Sequence, residues 1–309
     1  MDDTLTFRFL VLLLVASVCR SWSVYGPFSN FSAGRNVTKR TNLVALAKKL
    51  NLTSLVDALR QTKLDNVVDH EGPFTLFAPT NDAFARRPDY CFNVPLKDVM
   101  KMHVGRGFYF SKKFKNDELI PTLLSERTIR INVYRSNEIV TGNGREIIKV
   151  DNVASNGVLH ILNDVMCSLY IGSAIVEINR CPSFSKFSRA VNMTNLYTLL
   201  DAKGPYTVFT PTDDAVAKLP SDFIIHLLNN ITALKEVILY HIIPQVWYSP
   251  GFQDGLKLKT LQGSYVTLKL QNVIRINNAT VTLPDATVSN GVVHSIDTVL
   301  IPPSLYINN

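Results

Sequence analysis

GPFTLFAPTNDAF at residues 72–84 returns as GPYTVFTPTDDAV at residues 204–216, a shift of 132 residues. Two further blocks repeat in the same order. LKDVMKMH, ending at His103, matches LKEVILYH, ending at His241, and SNGVLHILNDVM at 155–166 matches SNGVVHSIDTVL at 289–300. This period is far longer than the roughly 20–50 residues of a solenoid repeat. The sequence therefore predicts two tandem domains of about 130 residues each.

The repeated segment at 72–84 and 204–216 predicts a buried strand that ends just before a helix begins. Phe74–Phe77 is apolar and aromatic, Pro79 ends the strand, and Thr80–Asn81–Asp82 offers side-chain oxygens that can cap a helix N-terminus. Upstream, the apolar residues of 43–59 recur at helical spacing. Each domain should therefore begin with helices that precede the strand.

The second repeated block predicts a helix whose apolar stripe ends in a histidine. The stripe positions i, i+3, i+4 and i+7 are Leu96, Val99, Met100 and His103 in one copy, and Leu234, Val237, Ile238 and His241 in the other. A histidine on an apolar face points toward the core. We expect both to be buried and tied to a backbone carbonyl rather than to act as a ligand or a base.

After this helix the apolar period changes to two. Ile129, Ile131 and Val133 alternate with polar residues in the first copy, and Asn143–Gly144 predicts a hairpin turn. The second copy alternates in the same way from Val266 to Leu270. Helices followed by antiparallel strands place each domain in the α+β class.

The N-terminus predicts secretion. Residues 7–18 form an apolar run too short to span a bilayer, and small residues suited to signal peptidase follow it, so residues 1–23 are interpreted as a signal peptide. The alternative is a signal anchor that stays in the membrane. The chain has no second apolar run of membrane length, so we expect a mature protein that does not span the membrane and lies in the extracellular space or matrix. N-glycosylation sequons begin at Asn30, Asn36, Asn51, Asn192, Asn230 and Asn278.

These patterns give a domain plan for the whole chain. After the signal peptide we expect an N-terminal segment at 24–39, a first domain at 40–170, a connector at 171–182, a second domain at 183–303 and a tail at 304–309. The connector is short, so the two domains should touch.

The cysteines leave the disulfide pairing open. Removal of the signal peptide takes Cys19 and leaves Cys91, Cys167 and Cys181. A Cys167–Cys181 bond would staple the connector, and a bond from Cys91 to either of them is equally open. The sequence contains no CxxC motif and no Cys/His cluster, so no metal site is expected.

One pattern of catalytic residue types occurs in both copies. Asp-x3-Ser-x4-His appears as Asp151, Ser155 and His160, and again 134 residues later. The serine precedes a tight Asn-Gly turn rather than standing on a strained strand-to-helix elbow. Side chains on one strand also alternate between its faces. We therefore expect no enzymatic activity.

The three blocks resemble the two signature boxes and the intervening Tyr-His element of fasciclin-type domains. The boxes are TLFAPTNDAF with TVFTPTDDAV and SNGVLHILNDVM with SNGVVHSIDTVL, and Tyr240–His241 matches the element between them. The resemblance covers roughly residues 40–170 and 183–303. It implies a compact wedge of antiparallel strands packed with several helices, an extracellular adhesion role and no cofactor.

The resemblance also implies partner-binding positions. In the family, an Asp-Ile pair before the second box and the Tyr-His element have been credited with integrin recognition. The aspartates correspond to Asp151 and Asp285, but Asn152 and Ala286 stand where isoleucine is expected. The Tyr-His element with its following apolar residues corresponds to Tyr240, His241, Ile242 and Ile243.

Charge predicts a second kind of binding site. Residues 24–170 carry 20 basic and 14 acidic residues, a net charge of +6, whereas residues 171–309 carry 10 and 9, a net charge of +1. A basic patch interleaved with aromatic residues comprises Lys101, Arg106, Lys112, Lys113 and Lys115. In a secreted protein such a patch favours sulfated glycosaminoglycan or another anionic surface over nucleic acid.

Two functional hypotheses follow. The first is a secreted adhesion protein that binds cell-surface receptors, integrins among them, or matrix proteins through the faces of its fasciclin-like domains. The second is a soluble carrier or lectin-like module that binds a small apolar ligand or a glycan. The aromatic pairs Trp247–Tyr248 and Phe108–Phe110 motivate the second hypothesis.

Overall fold

The computed structural model describes residues 41–87, 91, 93–167 and 172–305, which form two copies of one α+β domain. The two copies belong to a single compact unit. The predicted signal peptide, the segment at 24–39 and the sequons at Asn30 and Asn36 lie outside the described residues.

The first domain places short helices before a seven-stranded sheet. Its elements are α1 (Leu43–Lys49), α2 (Thr53–Gln61), α3 (Asp65–His70), β1 (Phe74–Pro79), α4 (Asn81–Ala85), α5 (Leu96–Met102), β2 (Val104–Arg106), a 3-10 helix (Ser111–Lys113), β3 (Glu118–Pro121), β4 (Thr128–Tyr134), β5 (Ile139–Gly142), β6 (Arg145–Ala154) and β7 (Gly157–Leu162). The strand order is β2-β1-β7-β6-β5-β4-β3.

The second domain repeats this plan. Its elements are α6 (Ala174–Arg180), a 3-10 helix (Pro182–Phe184), α7 (Ser185–Met193), α8 (Tyr197–Asp201), β8 (Tyr206–Pro211), α9 (Asp213–Ala217), α10 (Ser221–Asn229), α11 (Ile231–Tyr240), β9 (Ile242–Ile243), a 3-10 helix (Ser249–Gly251), β10 (Lys257–Lys259), β11 (Tyr265–Leu270), β12 (Ile274–Ile276), β13 (Ala279–Val288), β14 (Gly291–Ile296) and a 3-10 helix (Pro303–Leu305). The strand order is β10-β11-β12-β13-β14-β8-β9.

The predicted α+β class with its tandem domains is confirmed, and each sheet adds a feature that the pattern did not predict. β1 pairs in parallel with β7, and β8 pairs in parallel with β14, whereas all other strand pairs are antiparallel in the described residues. All residues of β1 and β7 are buried. Strands covered on both faces read as continuous apolar runs and do not alternate, so the apolar pattern does not indicate their direction.

Side chains of the repeated segment cap two helices in each domain. The Thr80 side chain accepts a hydrogen bond from Ala83 N at the start of α4, as predicted for this stretch. The Asn81 side chain does not cap α4. It accepts a hydrogen bond from Ser54 N in the first turn of α2. In the second domain Asp213 does the same for α7. The repeated segment therefore joins two helices to the end of β1 in the first domain and of β8 in the second.

An asparagine in each third block links the last hairpin to the helices. The Asn156 side chain accepts a hydrogen bond from Leu43 N in α1 (3.0 Å) and donates one to Val68 O in α3 (2.6 Å). Asn290 accepts from Ala174 N in α6 (2.8 Å) and donates to the end of α8. The predicted turns therefore also link the sheet to the helices by hydrogen bonds.

The segment predicted as a connector already belongs to the second domain. Residues 174–180 form α6, whose Ala174, Ile175 and Ile178 are buried in the second-domain core. Only about two turns long, this helix showed too few apolar repeats for the sequence to separate it from a linker.

One disulfide bond joins Cys91 to Cys167, whose Cα atoms lie 5.3 Å apart, and Cys181 is free. The alternative of a Cys167–Cys181 staple is therefore excluded. Cys91 and Cys167 are both buried in the first-domain core, whereas Cys181 follows α6 in the second domain. The bond ties the segment before α5 to the segment after β7.

Candidate interaction surface

The Tyr-His element lies in the core of the second domain. Tyr240, His241, Ile242 and Ile243 are each no more than 2% exposed. The Tyr240 hydroxyl donates a hydrogen bond to Tyr265 O, and β9 pairs with β8. A macromolecular partner cannot touch these side chains while the domain is closed, so partner binding at these residues stays a prediction that would require opening.

Both histidines of the second block are neutral structural links. His241 Nδ1 donates to Val237 O (2.7 Å), and its Nε2 accepts from Leu300 N (3.0 Å). His103 makes the equivalent bonds to Val99 O and from Met166 N. Burial lowers the pKa of each imidazole to about 4. The carbonyl tether is the arrangement that the apolar stripe predicts.

Asp151 fastens a loop of the first domain to β6. Its carboxylate accepts hydrogen bonds from Ser111 N (2.9 Å) and Ser111 Oγ (2.5 Å), while its own N–H donates to His160 Nδ1. His160 Nε2 in turn donates to Tyr109 O (2.8 Å). Burial opposes ionisation of Asp151, but the bonds from Ser111 outweigh it and hold the pKa of the carboxyl below its usual value.

Asp285 builds the same network in the second domain. It accepts hydrogen bonds from the N–H and hydroxyl groups of Ser249, and its N–H donates to His294 Nδ1. His294 Nε2 donates to Trp247 O (2.8 Å). Burial lowers the pKa of His294, and its Nδ1 already accepts a hydrogen bond. The 3.9 Å approach of Asp285 to this ring is therefore not an ion pair.

The Asp-x3-Ser-x4-His pattern does not assemble a catalytic triad. Both ring nitrogens of His160 are engaged by backbone groups of Asp151 and Tyr109. The exposed Ser155 follows β6, and its N–H donates to Thr41 O. The described residues also contain no group of three or more His, Cys, Asp or Glu side chains able to hold a metal ion.

The two networks identify matching loops, residues 106–115 in the first domain and 244–251 in the second. Ser111 matches Ser249, and Tyr109 matches Trp247, because they make the same bonds. The matched positions differ by 138 residues. By this register Phe110 corresponds to Tyr248, and Lys113 corresponds to Gly251. The loops share one scaffold but have different surroundings.

The 244–251 loop contacts the first domain in the joint between the domains, where its Tyr248 and Gly251 are buried. Tyr248 N donates to the Tyr134 hydroxyl (2.8 Å), and the Trp247 ring stacks on the Tyr134 ring at 5.3 Å. Asn137 donates to Pro250 O (3.2 Å). Burial raises the pKa of Tyr134 and raises that of Tyr248 to about 12. Both tyrosines are therefore neutral, and both are buried in the contact.

Arg130 crosses the same joint. Its guanidinium donates to Ser289 O in the second domain (3.1 Å) and lies 3.5 Å from the Asp117 carboxylate. The residue is only 5% exposed. A buried guanidinium needs a paired charge and hydrogen-bond acceptors, and the joint supplies both.

The 106–115 loop of the first domain is open. Phe108 is 50% exposed and stacks on the partly buried Phe110, with their ring centroids 6.3 Å apart. Asp151 ties the loop to β6, which adds Val150 and Val153 as exposed apolar side chains. This loop is our candidate interaction surface.

The predicted basic patch divides into two parts. The exposed basic residues of the 106–115 loop are Arg106, Lys112, Lys113 and Lys115. Lys101 instead lies on α5, is partly buried and approaches Asp98 at 3.9 Å. The loop, rather than the whole predicted set, forms the basic and aromatic surface.

The sequons within the described residues begin at surface positions. Asn51, Asn192, Asn230 and Asn278 are all exposed.

Among the described helices, none alone has the length and hydropathy needed to cross a bilayer. α10 and α11 reach those values only as a pair, and they are bent by 108° to each other.

Comparison with known proteins is consistent with this architecture. The fasciclin domain model matches residues 50–168 and 182–302. The chain is 29% identical over 255 residues to transforming growth factor-beta-induced protein ig-h3 of Sus scrofa and 30% identical over 253 residues to human periostin. Each alignment covers 79% of this chain, but 37% and 30% of the respective relative. The chain thus spans about a third of the length of these relatives.

Two further similarities were found. Human stabilin-1 is 25% identical over 259 residues, which cover 76% of this chain and 10% of the relative. The solved FAS1 domain pair of the insect cell adhesion molecule fasciclin I is 18% identical, with a TM-score of 0.38, and covers 84% of this chain and 99% of that structure. The chain belongs to the fasciclin domain family, as the double match of the family model shows.

The sequence indicated that the domains touch but did not identify the residues that form the joint. Its central residues, Tyr134, Arg130 and Gly144, were not singled out as contacts. One signal was present: the alternation of Ile129 and Ile131 places Arg130 and Tyr134 on the outward face of β4. An arginine and a tyrosine together on an outward strand face are residue types enriched in interfaces.

Proposed function

We propose that this chain is a secreted, non-catalytic adhesion protein that contacts cell-surface or matrix partners through the 106–115 loop of its first domain. One observation supports the location. The matching loop of the second domain is covered by a neighbouring domain, whereas the first-domain loop keeps the same scaffold and exposes its aromatic and basic side chains. The predicted signal peptide and the six sequons support the secretory route.

The chemistry of the loop favours an anionic partner, such as a sulfated glycosaminoglycan. Lys112 and Lys113 lie side by side on a 3-10 helix and are exposed, with Lys115 close behind. Residues 24–170 carry a net charge of +6, against +1 for the remainder. Lysine ammonium groups bind sulfate as point charges, and the neighbouring phenylalanines can pack against sugar rings or apolar side chains.

Integrin recognition through Asp151 or Asp285 is the weaker version of the adhesion proposal. Both carboxylates already accept two hydrogen bonds from a serine. Asp285 is also buried, at 7% exposure. A receptor would have to replace these bonds, so an adhesion surface made of the loop itself requires less rearrangement.

A binding experiment tests the loop directly. Full-length secreted protein is applied to immobilised heparin across a salt series. Binding should weaken steeply from low to physiological salt because condensed counterions are released. A Lys112→Gln/Lys113→Gln variant should bind about tenfold more weakly than the wild type, as loss of about 0.7 kcal/mol per exposed charge would give.

The second domain offers a matched control. Lys257 and Lys259 are exposed on β10, and replacement of both by glutamine makes the same change in net charge. This variant should bind heparin like the wild type. Equal weakening by both double variants would show that binding follows net charge alone, and the loop would no longer be the site. Adhesion of cells to the same proteins extends the test to receptors.

The carrier hypothesis is less well supported. Trp247 and Tyr248, which motivated it, both contact Tyr134 in the joint. An apolar groove between α6 and β13, lined by Phe184 and Leu283 among others, has a volume of about 250 Å³. Pockets for small ligands usually have about 300–1,000 Å³. A small molecule retained by the purified protein in native mass spectrometry would revive this alternative.

A further inference from the structure

The joint depends on a glycine in a hairpin turn of the first domain. Gly144 follows β5 and packs against the Tyr248 ring so closely that a Cβ atom at this position would lie 2.3 Å from Tyr248 Cδ1. Such a distance is far inside van der Waals contact. The outer face of β4 and the Asn143–Gly144 turn together form what we call the stacking face, which receives the next domain.

The second domain has its own copy of the stacking face. In the first domain, the Asn143 side chain accepts from Arg130 N, and Asn143 N donates to Arg130 O. In the second domain, Asn277 makes the same two bonds with Thr267. Asn143 and Asn277 also share a left-handed backbone, with φ of 49° and 52°. Asn278 therefore occupies the place of Gly144.

Asn278 carries a side chain where Gly144 has none, and its backbone is not left-handed like that of Gly144. It is exposed, and it begins the sequon Asn278–Ala279–Thr280. Its side chain makes no hydrogen bond to any residue that the structure describes. On the same outward face of β11, Tyr265 is 56% exposed and Lys269 is exposed as well. In the described structure nothing covers this second stacking face.

We propose that Asn278 carries an N-linked glycan that covers the second stacking face and prevents a further fasciclin-type domain from stacking there. In the first domain even a methyl group at the equivalent position would collide with the incoming ring. A branched sugar attached at Asn278 is much larger than a methyl group. The Asn278 side chain together with its glycan therefore closes the domain pair at its second-domain end.

The opposite end of the pair carries a complementary change. Gly251, in the 244–251 loop, lies against Tyr134, and a Cβ there would be 2.5 Å from the tyrosine ring. At the matching position the first domain has the exposed Lys113. A lysine side chain there cannot enter a stacking face of the same shape. Both surfaces that could extend the stack are thus altered at the residue that makes the closest contact.

The inference rests on the proposed secretory route, and the first experiment separates the two. Full-length protein secreted from cultured animal cells is digested, and each sequon is examined by glycopeptide mass spectrometry. We expect a glycan on Asn278. If Asn192 or Asn230 is occupied and Asn278 is not, this inference is overturned while secretion stands. If no protein reaches the culture medium, the proposed secretory route fails as well.

The second experiment tests whether the sugar covers the face. Hydroxyl-radical footprinting of the full chain should oxidise Tyr265 severalfold more slowly in the wild type than in an Asn278→Gln variant. Tyr197, exposed on α8, serves as the internal reference and should react equally in both proteins. Equal oxidation of Tyr265 in the two proteins would overturn the proposed covering even if Asn278 is glycosylated.

A matched variant separates the glycan from the sequence change. Thr280→Ser keeps the sequon, and Tyr265 should remain as protected as in the wild type. Enzymatic removal of the glycan from folded wild-type protein should raise Tyr265 oxidation to the level of the Asn278→Gln variant. If deglycosylation leaves Tyr265 protected, the protein rather than the sugar covers the face, which also overturns the proposal.

Discussion

His103 and His241 each accept one backbone hydrogen bond and donate another, and both are fully buried. A charged imidazole has no acceptor at Nε2 in this arrangement, because a backbone N–H already points at that nitrogen. Burial accordingly holds the pKa of each ring at about 4, below the 6.5 of a free histidine. These residues make the fold sensitive to acid.

The stability of the protein should therefore fall between pH 6.5 and pH 4. The unfolded chain takes up these protons near pH 6.5, and the folded chain does so only near pH 4. The contribution is fully present above pH 6.5 and is lost as the pH falls toward 4. Each histidine should remove about 1.4 kcal/mol of unfolding free energy per pH unit in this window. Urea titrations at several pH values measure the slope.

Variants identify the source of this slope. A His241→Gln protein should be less stable at pH 7.5 than the wild type but should lose stability more gently on acidification. His226→Gln is the control, because His226 is exposed on α10, and its slope should match the wild type. A wild-type slope in His241→Gln would contradict the assignment.

At the residue scale, the sequence predicted what periodicity can show. The i, i+3, i+4, i+7 stripe placed His103 and His241 in the core, and the structure confirms their burial. Periodicity could not show that Asn81 caps α2 rather than its own helix, because that bond crosses 27 residues of chain. Contacts of this kind depend on tertiary packing, which a single sequence does not encode locally.

Among the elements, the hairpin turn at Asn143–Gly144 and the turn at Gly255, which precedes β10, give the sharpest comparison. Gly144 and Gly255 have left-handed φ angles of 76° and 75°. A Cβ at Gly144 would collide with Tyr248, whereas a Cβ at Gly255 would have nothing within 4 Å. Alanine at either position bears the same backbone cost, about 1 kcal/mol. Only Gly144 adds the steric effect.

Gly144→Ala should therefore open the joint, and Gly255→Ala should not. Trp22 belongs to the predicted signal peptide, so Trp247 is the sole tryptophan expected in the mature chain. Its ring stacks on Tyr134 in the joint. We expect a red shift of tryptophan fluorescence in Gly144→Ala and a wild-type spectrum in Gly255→Ala. Identical spectra for the two variants would show that Gly144 does not govern the contact.

Element prediction succeeded where the pattern was strong. The Asn143–Gly144 turn, the alternating β4 and β11, and the helix–strand–helix order of the repeated segment all appear in the structure. It failed at α6, a helix of seven residues whose apolar side chains serve a domain that begins earlier than the repeats suggested. The parallel pairing of β1 with β7 also escaped, because fully buried strands lack alternation.

On the scale of the whole molecule, the one disulfide bond found among the described residues concerns one domain. Cys91 and Cys167 close a loop with a sequence separation of 76 residues within the first domain. Loss of this link should reduce the free energy of unfolding by about 4 kcal/mol, as loop entropy predicts. Thermal unfolding of a Cys91→Ser/Cys167→Ser protein measures the loss.

Cys181→Ser is the control for the variant that lacks the disulfide bond. Cys181 is free and only partly exposed after α6, so Cys181→Ser should unfold like the wild type. Peptide mapping without reduction should recover Cys91 linked to Cys167 and Cys181 as a thiol. Recovery of a Cys167–Cys181 peptide, or a large loss of stability in Cys181→Ser, would contradict the observed pairing.

The joint marks the limit of prediction for the molecule as a whole. The repeats established two domains, and the short link between them indicated contact. Which surfaces meet depends on Tyr134, Arg130 and Gly144 of one domain and on Trp247 and Tyr248 of the other. These residues lie outside the repeated blocks. Two copies of one fold offer several equivalent ways to pack, and only the differences between the copies select one.

The Ser-Asp-His network, present in both domains, has a consequence for how the chain can change over evolutionary time. It fixes the backbone of each loop without using the loop's outward side chains. In the second domain those side chains are held by the neighbouring domain, so substitutions there must be matched across the joint. In the first domain they face solvent, so the duplication leaves one loop free to acquire new specificities while its twin preserves the pair.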